Sequence, residues 1–283
     1  MKTYILYHAN CQDGLGAKYA AWKKYGDKAI YIPVQYGKPV PEVEDGSEIF
    51  ILDFSYPRDV LEELRSRVSN LVILDHHKTA KEALDGFPGA YFNMEKSGAV
   101  LAWEYFHGTS KPVPIMLQHI QDRDLWKKKL IGTDELHAAL QIIGDDMEAR
   151  DAMAEDNDMG RYMLGEAVRT GSIVLKYENS KVQEAIKNVK IVPYKGFKAG
   201  VLNTTTLVSE IGSAICQNKE LGVDFSLSYF VASDGKPILS FRSIGDFDVA
   251  VLAQELGGGG HRNAAGVPGV SYEFLQQLYE GKL

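Results

Sequence analysis

Near the start of the chain, three short apolar runs each stop at a group able to bind a hard cation. "YILY" runs into His8, "IFIL" into Asp53, and "LVIL" into Asp75, His76 and His77. Asp13 follows His8 in the same polar stretch, and "DRDLW" adds Asp122 and Asp124. Carboxylates mixed with neutral imidazoles suit manganese or a similar divalent ion. Sites of this kind often hold two ions about 3.5–4 Å apart, bridged by a carboxylate and by water. Taken singly, most of these residues have an ordinary structural explanation. Asp13 fits a helix cap before Gly14, Asp53 fits the same role ahead of Pro57, His8 fits a partly buried histidine and Asp122 fits a surface acid. Their shared position behind apolar runs favours the metal reading. Only the Asp-His-His tripeptide is hard to explain as structure on its own.

The elements that must position these groups are legible in the apolar pattern. Segments 3–7, 29–34, 48–52 and 71–74 read as buried strands. "GLGAKYAAWKKYG", "PRDVLEELRSR" and "GAVLAWEYFHG" read as helices, the last capped by Ser97 and closed by Gly108. Strands alternating with helices predict an α/β fold with a mostly parallel sheet covered on both faces. In such sheets ligands collect beyond the carboxyl ends of the strands. A strand that stops at Asp75 therefore lets the following loop turn both imidazoles toward one cleft. Helical pattern dominates from about 113 to 187. The last hundred or so residues change rhythm, with strands in "VKIVPY", "FKAGVLNT", "DFSLSYFVA" and "PILSFRS" and helices at 207–216 and 247–256. The reading is a catalytic domain over 1–170, a helical linker over 171–187, and a smaller C-terminal α/β domain over 188–283. The active site is expected in the cleft between the domains.

The chain has 283 residues, 45% hydrophobic, with 31 basic and 38 acidic residues and a formal charge of −7. That composition supplies a packed core and carries no basic stripe for long nucleic acid. Cys11 and Cys216 are the only cysteines, so a disulfide framework is not expected. The apolar start is too short for a signal peptide, and no apolar run reaches the roughly 18 residues of a membrane span. The expectation is a cytoplasmic protein with no membrane partner. The sequence leaves its oligomeric state open, a homodimer included.

Together, "LDHHKT", "YHANCQDGLGA", "ILDFS", "DRDLW" and "LGGGGHRNAAG" resemble, in order, the signature segments of the DHH phosphoesterase superfamily and its associated C-terminal domain. The resemblance implies a phosphoesterase with two metal ions, most often manganese, and substrate gripped between two domains. It implies one ion held by His8 and Asp53, and the other by Asp13, Asp53, His76 and Asp122, with Asp53 bridging. It makes Asp75 an orienter of its neighbours and His77 the group that lies against the scissile phosphate. One segment departs from the family pattern. The usual Asp-x-Asp of the first motif is replaced by "CQD", one residue shorter, with Cys11 in place of the earlier aspartate. Cys11 is then either a thiolate ligand favouring softer ions or a small half-buried residue beside a weak first site.

Glycines 257–260 allow close backbone approach to a phosphate, which makes Gly258, Gly259, Gly260, His261 and Arg242 the candidate substrate-binding residues. A helix C-cap or linker is the competing explanation of the glycines. The expected function is hydrolysis of phosphate esters in a small nucleotide or short oligonucleotide. Two alternatives stand beside it: a nucleotide-binding sensor with a decayed metal site, and a pyrophosphate or polyphosphate hydrolase.

Overall fold

A computed structural model describes residues 2–283, and the chain divides into two units, 1–175 and 176–283. In the first unit β1 (Thr3–His8), α1 (Gln12–Tyr25), β2 (Ala29–Val34), β3 (Glu48–Leu52), α2 (Arg58–Arg67), β4 (Asn70–Asp75), α3 (Lys78–Ala83) and β5 (Ala90–Phe92) follow in order. Then come α4 (Gly98–His107), α5 (Ile115–Asp124), α6 (Thr133–Ile143), α7 (Met147–Ala154) and α8 (Asp158–Ile186). The five strands form one parallel sheet in the order β2-β1-β3-β4-β5.

Strands β1, β3 and β4 are buried on both faces, which is why they read as unbroken apolar runs. Pro33 lies in β2, an edge strand, where a missing amide hydrogen is tolerated. Ile5, Phe50 and Leu52 pack against Tyr19 of α1 and Trp103 of α4. Their neighbours Leu6, Ile49 and Ile51 pack on the opposite face against Leu61 and Leu64 of α2. Helices thus cover both faces, as the alternation predicts. A Cβ on Gly16 would lie 2.7 Å from the Ala99 methyl, so small residues set how closely α1 and α4 approach.

Register carries the sequence pattern into a site. Tyr7 pairs with Leu52, and Leu52 with Leu74. The next residues, His8, Asp53 and Asp75, therefore stand level at the carboxyl ends of three adjacent strands, spaced by about 4.8 Å. Asp53 takes a left-handed backbone conformation there, with φ 56°, at a cost of about 1–2 kcal/mol. Burying Tyr7, Leu52 and Leu74 just behind contributes about 1.5–3 kcal/mol per side chain, so core packing readily holds the strained turn.

Helix α8 is continuous over 29 residues, and the division between units falls inside it. Residues 171–186, read as a helical linker, are helical and form the C-terminal part of this longer helix, because nothing in "RTGSIVLKYENS" interrupts it. The second unit contains β6 (Lys190–Tyr194), β7 (Phe197–Asn203), α9 (Val208–Gln217), β8 (Phe225–Val231), β9 (Pro237–Arg242), α10 (Val249–Glu255), β10 (Gly259–His261), β11 (Ala264–Val267) and α11 (Tyr272–Tyr279). Its six strands are ordered β10-β11-β9-β8-β7-β6, and only β7 and β8 run parallel. Ile211 and Ile215 of α9 pack on Leu202, whereas Leu252 of α10 and Leu278 of α11 join the core containing Val201.

Candidate metal centre

The turn from β1 into α1 begins the centre. Cys11 caps α1, its sulfur accepting the Gly14 amide at 3.2 Å. That role holds the Cys11 Sγ 3.4 Å from His8 Nδ1 and 3.3 Å from Asp53 Oδ2. His8 Nδ1 lies 3.4 Å from the same Asp53 oxygen. Gly14 lets the turn close: a Cβ there would sit 2.1 Å from the His8 carbonyl oxygen. Burial, with Asp53 adding to it, pushes the Cys11 thiol well above its usual range in the metal-free protein.

Asp13 is buried at the start of α4, where its two oxygens accept the Gly98 and Ala99 amides at 2.6 and 3.0 Å. Helix N-termini favour such a carboxylate. Burial and the carboxylates of Asp53 and Asp124 nevertheless raise its pKa well above the usual range. Its Oδ2 stands 3.5 Å from His76 Nε2. Asp53 Oδ1 approaches that nitrogen to 3.2 Å, yet it is buried and accepts no aligned hydrogen bond. Burial opposes ionisation of Asp53, but His76 and His8 outweigh it and hold the carboxyl below the usual carboxylate range. Gly98 makes room for it, since a Cβ at that position would lie 2.5 Å from Asp53 Cβ.

Donor atoms converge in overlapping groups. His8, Cys11 and Asp53 form one, Asp13, His76 and Asp124 another, and Asp53, His76 and His77 a third; within each, the donor atoms lie within 4.8 Å of one another. Asp53 turns Oδ2 toward His8 and Oδ1 toward His76, so its two oxygens face two separate sets of donors. A buried carboxylate oxygen without a hydrogen bond, amid other carboxylates, calls for a cation. The residues present therefore fit a divalent metal centre.

Asp122 is a correction. It sits in α5 with its side chain turned away from the centre, accepting the Lys129 amide at 2.9 Å, the Leu130 amide at 3.0 Å and the Thr133 hydroxyl at 2.8 Å. These bonds, together with burial that opposes them, leave its pKa below the usual value. Asp122 organises the loop between α5 and α6. Asp124, at the end of the same helix, instead places Oδ2 3.5 Å from His76 Nε2. Residues two apart on a helix point about 200° apart, so only one of the pair can face the sheet end.

The tripeptide is locked by its own aspartate. Asp75 is fully buried, and its Oδ1 accepts the His76 amide at 2.7 Å, the His77 amide at 3.2 Å and His77 Nδ1 at 2.6 Å. The last bond, working against burial, pushes His77 up to about 9. Tyr36 was not singled out from the sequence. Its ring lies 5.5 Å from that of His8 and 6.2 Å from that of His77, and a lone tyrosine after an edge strand gives no signal of this.

In the second unit the glycine run serves two purposes. Gly258 donates to Ala253 O at 2.8 Å and Gly257 to Gln254 O at 3.0 Å, the paired bonds that end a helix with a left-handed glycine. The Gly258 amide is therefore spent on closing α10, which corrects its reading as an anion donor. Gly259 and Gly260 enter β10, where a Cβ on Gly260 would lie 2.5 Å from Ala264 O. His261 pairs with Ala264, Ala264 with Arg242 and Arg242 with Ser226. His261 and Arg242 thus share one face of the sheet, two strands or about 10 Å apart. Arg242 donates Nη2 to Ser209 Oγ at 2.8 Å and Nη1 to Phe241 O at 2.7 Å.

Comparison with known proteins adds to this geometry. The DHHA1 domain family matches residues 205–280. The chain is 31% identical over 287 residues to "Uncharacterized protein R106" of Acanthamoeba polyphaga mimivirus, covering 93% of this chain and 66% of that one. It is 25% identical over 233 residues to the cyclic-di-AMP phosphodiesterase GdpP of Geobacillus thermodenitrificans, covering 79% of this chain and 33% of that one. The chain thus spans from a third to just under two thirds of these curated relatives. The crystal structure of exonuclease RecJ bound to manganese shares the fold, with a TM-score of 0.56 at 16% identity over 99% of this chain and 88% of that one.

Proposed function

We propose that this chain, a member of the DHH superfamily with a DHHA1 domain in its C-terminal unit, hydrolyses phosphate esters of small nucleotides or short oligonucleotides with two divalent ions, manganese being the metal to test first. The observation that carries the reading is Asp53, whose two oxygens face two separate donor groups. His8 and Asp53, with Cys11 beside them, would hold one ion; Asp13, Asp53, His76 and Asp124 would hold the other. Bound there, such ions supply positive charge and acidify a coordinated water. The chain's own part is positional. Asp75 fixes the His77 ring through Nδ1, leaving Nε2 as the donor toward a phosphoryl oxygen or a leaving group. Asp13 is fixed in turn by the amides of α4, so the donors are held before substrate arrives. Arg242 and His261 would grip a second phosphate of the substrate.

The test is a manganese-dependent assay against pyrophosphate, a nucleoside 3',5'-bisphosphate, linear dinucleotides and cyclic dinucleotides. Cyclic substrates are included because a relative is named for cleaving one. Hydrolysis of a nucleotide substrate is expected, with Asp53→Ala at least about 100-fold slower and not rescued by excess manganese. A near-normal kcat in Asp53→Ala would remove the two-ion reading. Turnover of pyrophosphate alone would favour the polyphosphate alternative.

A further inference from the structure

A cavity of about 690 Å³ opens beside the metal centre within the first unit, sharing Cys11, Asp13 and Asp124 with it. Its size falls in the range of small-molecule sites, about 300–1,000 Å³. Tyr7, Leu15, Pro33 and Ile120 give it apolar walls, and Gln12, His137 and Gln141 place neutral polar groups among them. Of its charged lining, Arg123 is paired with Asp134 at 2.9 Å and Asp145 with Lys18 at 2.5 Å, while Asp13 and Asp124 are the carboxylates it shares with the metal centre. Apolar walls with neutral hydrogen-bonding groups among them suit a base and its sugar better than another phosphate.

A second observation lies behind the wall. Arg150 is fully buried, and its Nη2 donates to Gln12 Oε1 at 2.6 Å and to Gly144 O at 2.8 Å. Both acceptors belong to residues that line the cavity. Burying a guanidinium is costly, and here it fixes the orientation of the Gln12 amide, leaving its Nε2 as a donor. Elsewhere in the lining Gln141 Nε2 lies 3.0 Å from His137 Nε2. Burial and nearby Arg123 lower His137 to about 4, so the ring is neutral at physiological pH and accepts that bond.

Resting on the phosphoesterase reading, we propose that this cavity seats the nucleoside attached to the scissile phosphate, with Gln12, His137 and Gln141 reading the edge of its base and Arg150 as a positioning residue. The probes are nucleoside 5'-monophosphates and ribose 5-phosphate, titrated calorimetrically into the manganese-loaded protein. At least one monophosphate is expected to bind about 10-fold or more tightly than ribose 5-phosphate. Gln141→Ala, at an exposed position, should remove most of that preference and leave ribose 5-phosphate binding unchanged. His137→Gln, which keeps a neutral polar group, should alter which base is preferred. Equal affinity for the base-bearing and base-free probes, or a preference untouched by Gln141→Ala, would overturn the proposal. Hydrolysis of a minimal aryl phosphodiester separates the two readings. Turnover without base preference sinks the pocket alone, and base preference without any turnover sinks the enzymatic reading while the pocket stands.

Discussion

Removing the carboxylates of Asp122 and Asp124 should have opposite consequences. Asp122→Ala leaves the half-buried Lys129 and Leu130 amides without their acceptor. It also takes from the Thr133 hydroxyl one of its two partners, His119 Nδ1 being the other. An amide left unpaired away from water costs about 1–3 kcal/mol. The variant should lose about 2–4 kcal/mol of stability in denaturant titration, since the loop partly relaxes and water reaches some of these groups. Its affinity for manganese should stay close to wild type. Asp124→Ala removes a carboxylate that crowds Asp13 and Asp53. Its metal-free stability should hold or rise, and its manganese affinity should fall by roughly 10- to 100-fold. If Asp122→Ala loses the metal and Asp124→Ala does not, the ligand assignment is reversed.

Between elements, the approach that bears on the metal centre is where α4 meets the end of β3. Gly98 offers its amide to Asp13 and leaves room for Asp53. An added methyl would meet the Asp53 Cβ at 2.5 Å, too near for either element to stay in place. Gly98→Ala should therefore cost about 1–3 kcal/mol, as overpacking does, and should disturb the shared carboxylate as well. Ala99→Gly, in the same helical turn, provides the control. It weakens α4 by roughly 0.5–1 kcal/mol without touching Asp53, so manganese affinity should survive there and fall in Gly98→Ala. Equal metal affinity in the two variants would show that the helix approach does not set the position of Asp53.

Across the whole molecule, the prediction concerns how binding energy is divided between the units. Arg242 and His261 share a face of the second sheet. If they hold a non-reacting phosphate, losing either should cost about 1.5–3 kcal/mol, or about a 10- to 150-fold drop in kcat/KM on a dinucleotide. An aryl phosphodiester has no second phosphate and should be cleaved nearly as before, because remote binding energy is used only where the remote group exists. Equal losses of kcat/KM on both substrates would place the two residues in the chemistry or in the stability of the sheet. No helix of the described residues is long and apolar enough to cross a membrane.

Four of the five strands of the parallel sheet, and His8, Asp53 and the Asp75–His77 tripeptide at the ends of three of them, were legible in the sequence; the short edge strand Ala90–Phe92 was not. A strand buried on both faces has to be continuously apolar, and parallel register brings such ends level without further information. Helical residues carried no such guide. Asp122 and Asp124 are chemically identical, and which one meets His76 depends on how α5 docks and rolls against the sheet. The same holds for Gly258: phosphate-binding and helix-ending glycines look alike until the Ala253 carbonyl takes the amide. Arg150 and the cavity wall it pins were illegible for a related reason. Gln12 and Gly144 are 132 residues apart, and only the packing of α7 beside the β1–α1 turn gives a buried guanidinium both of them as partners.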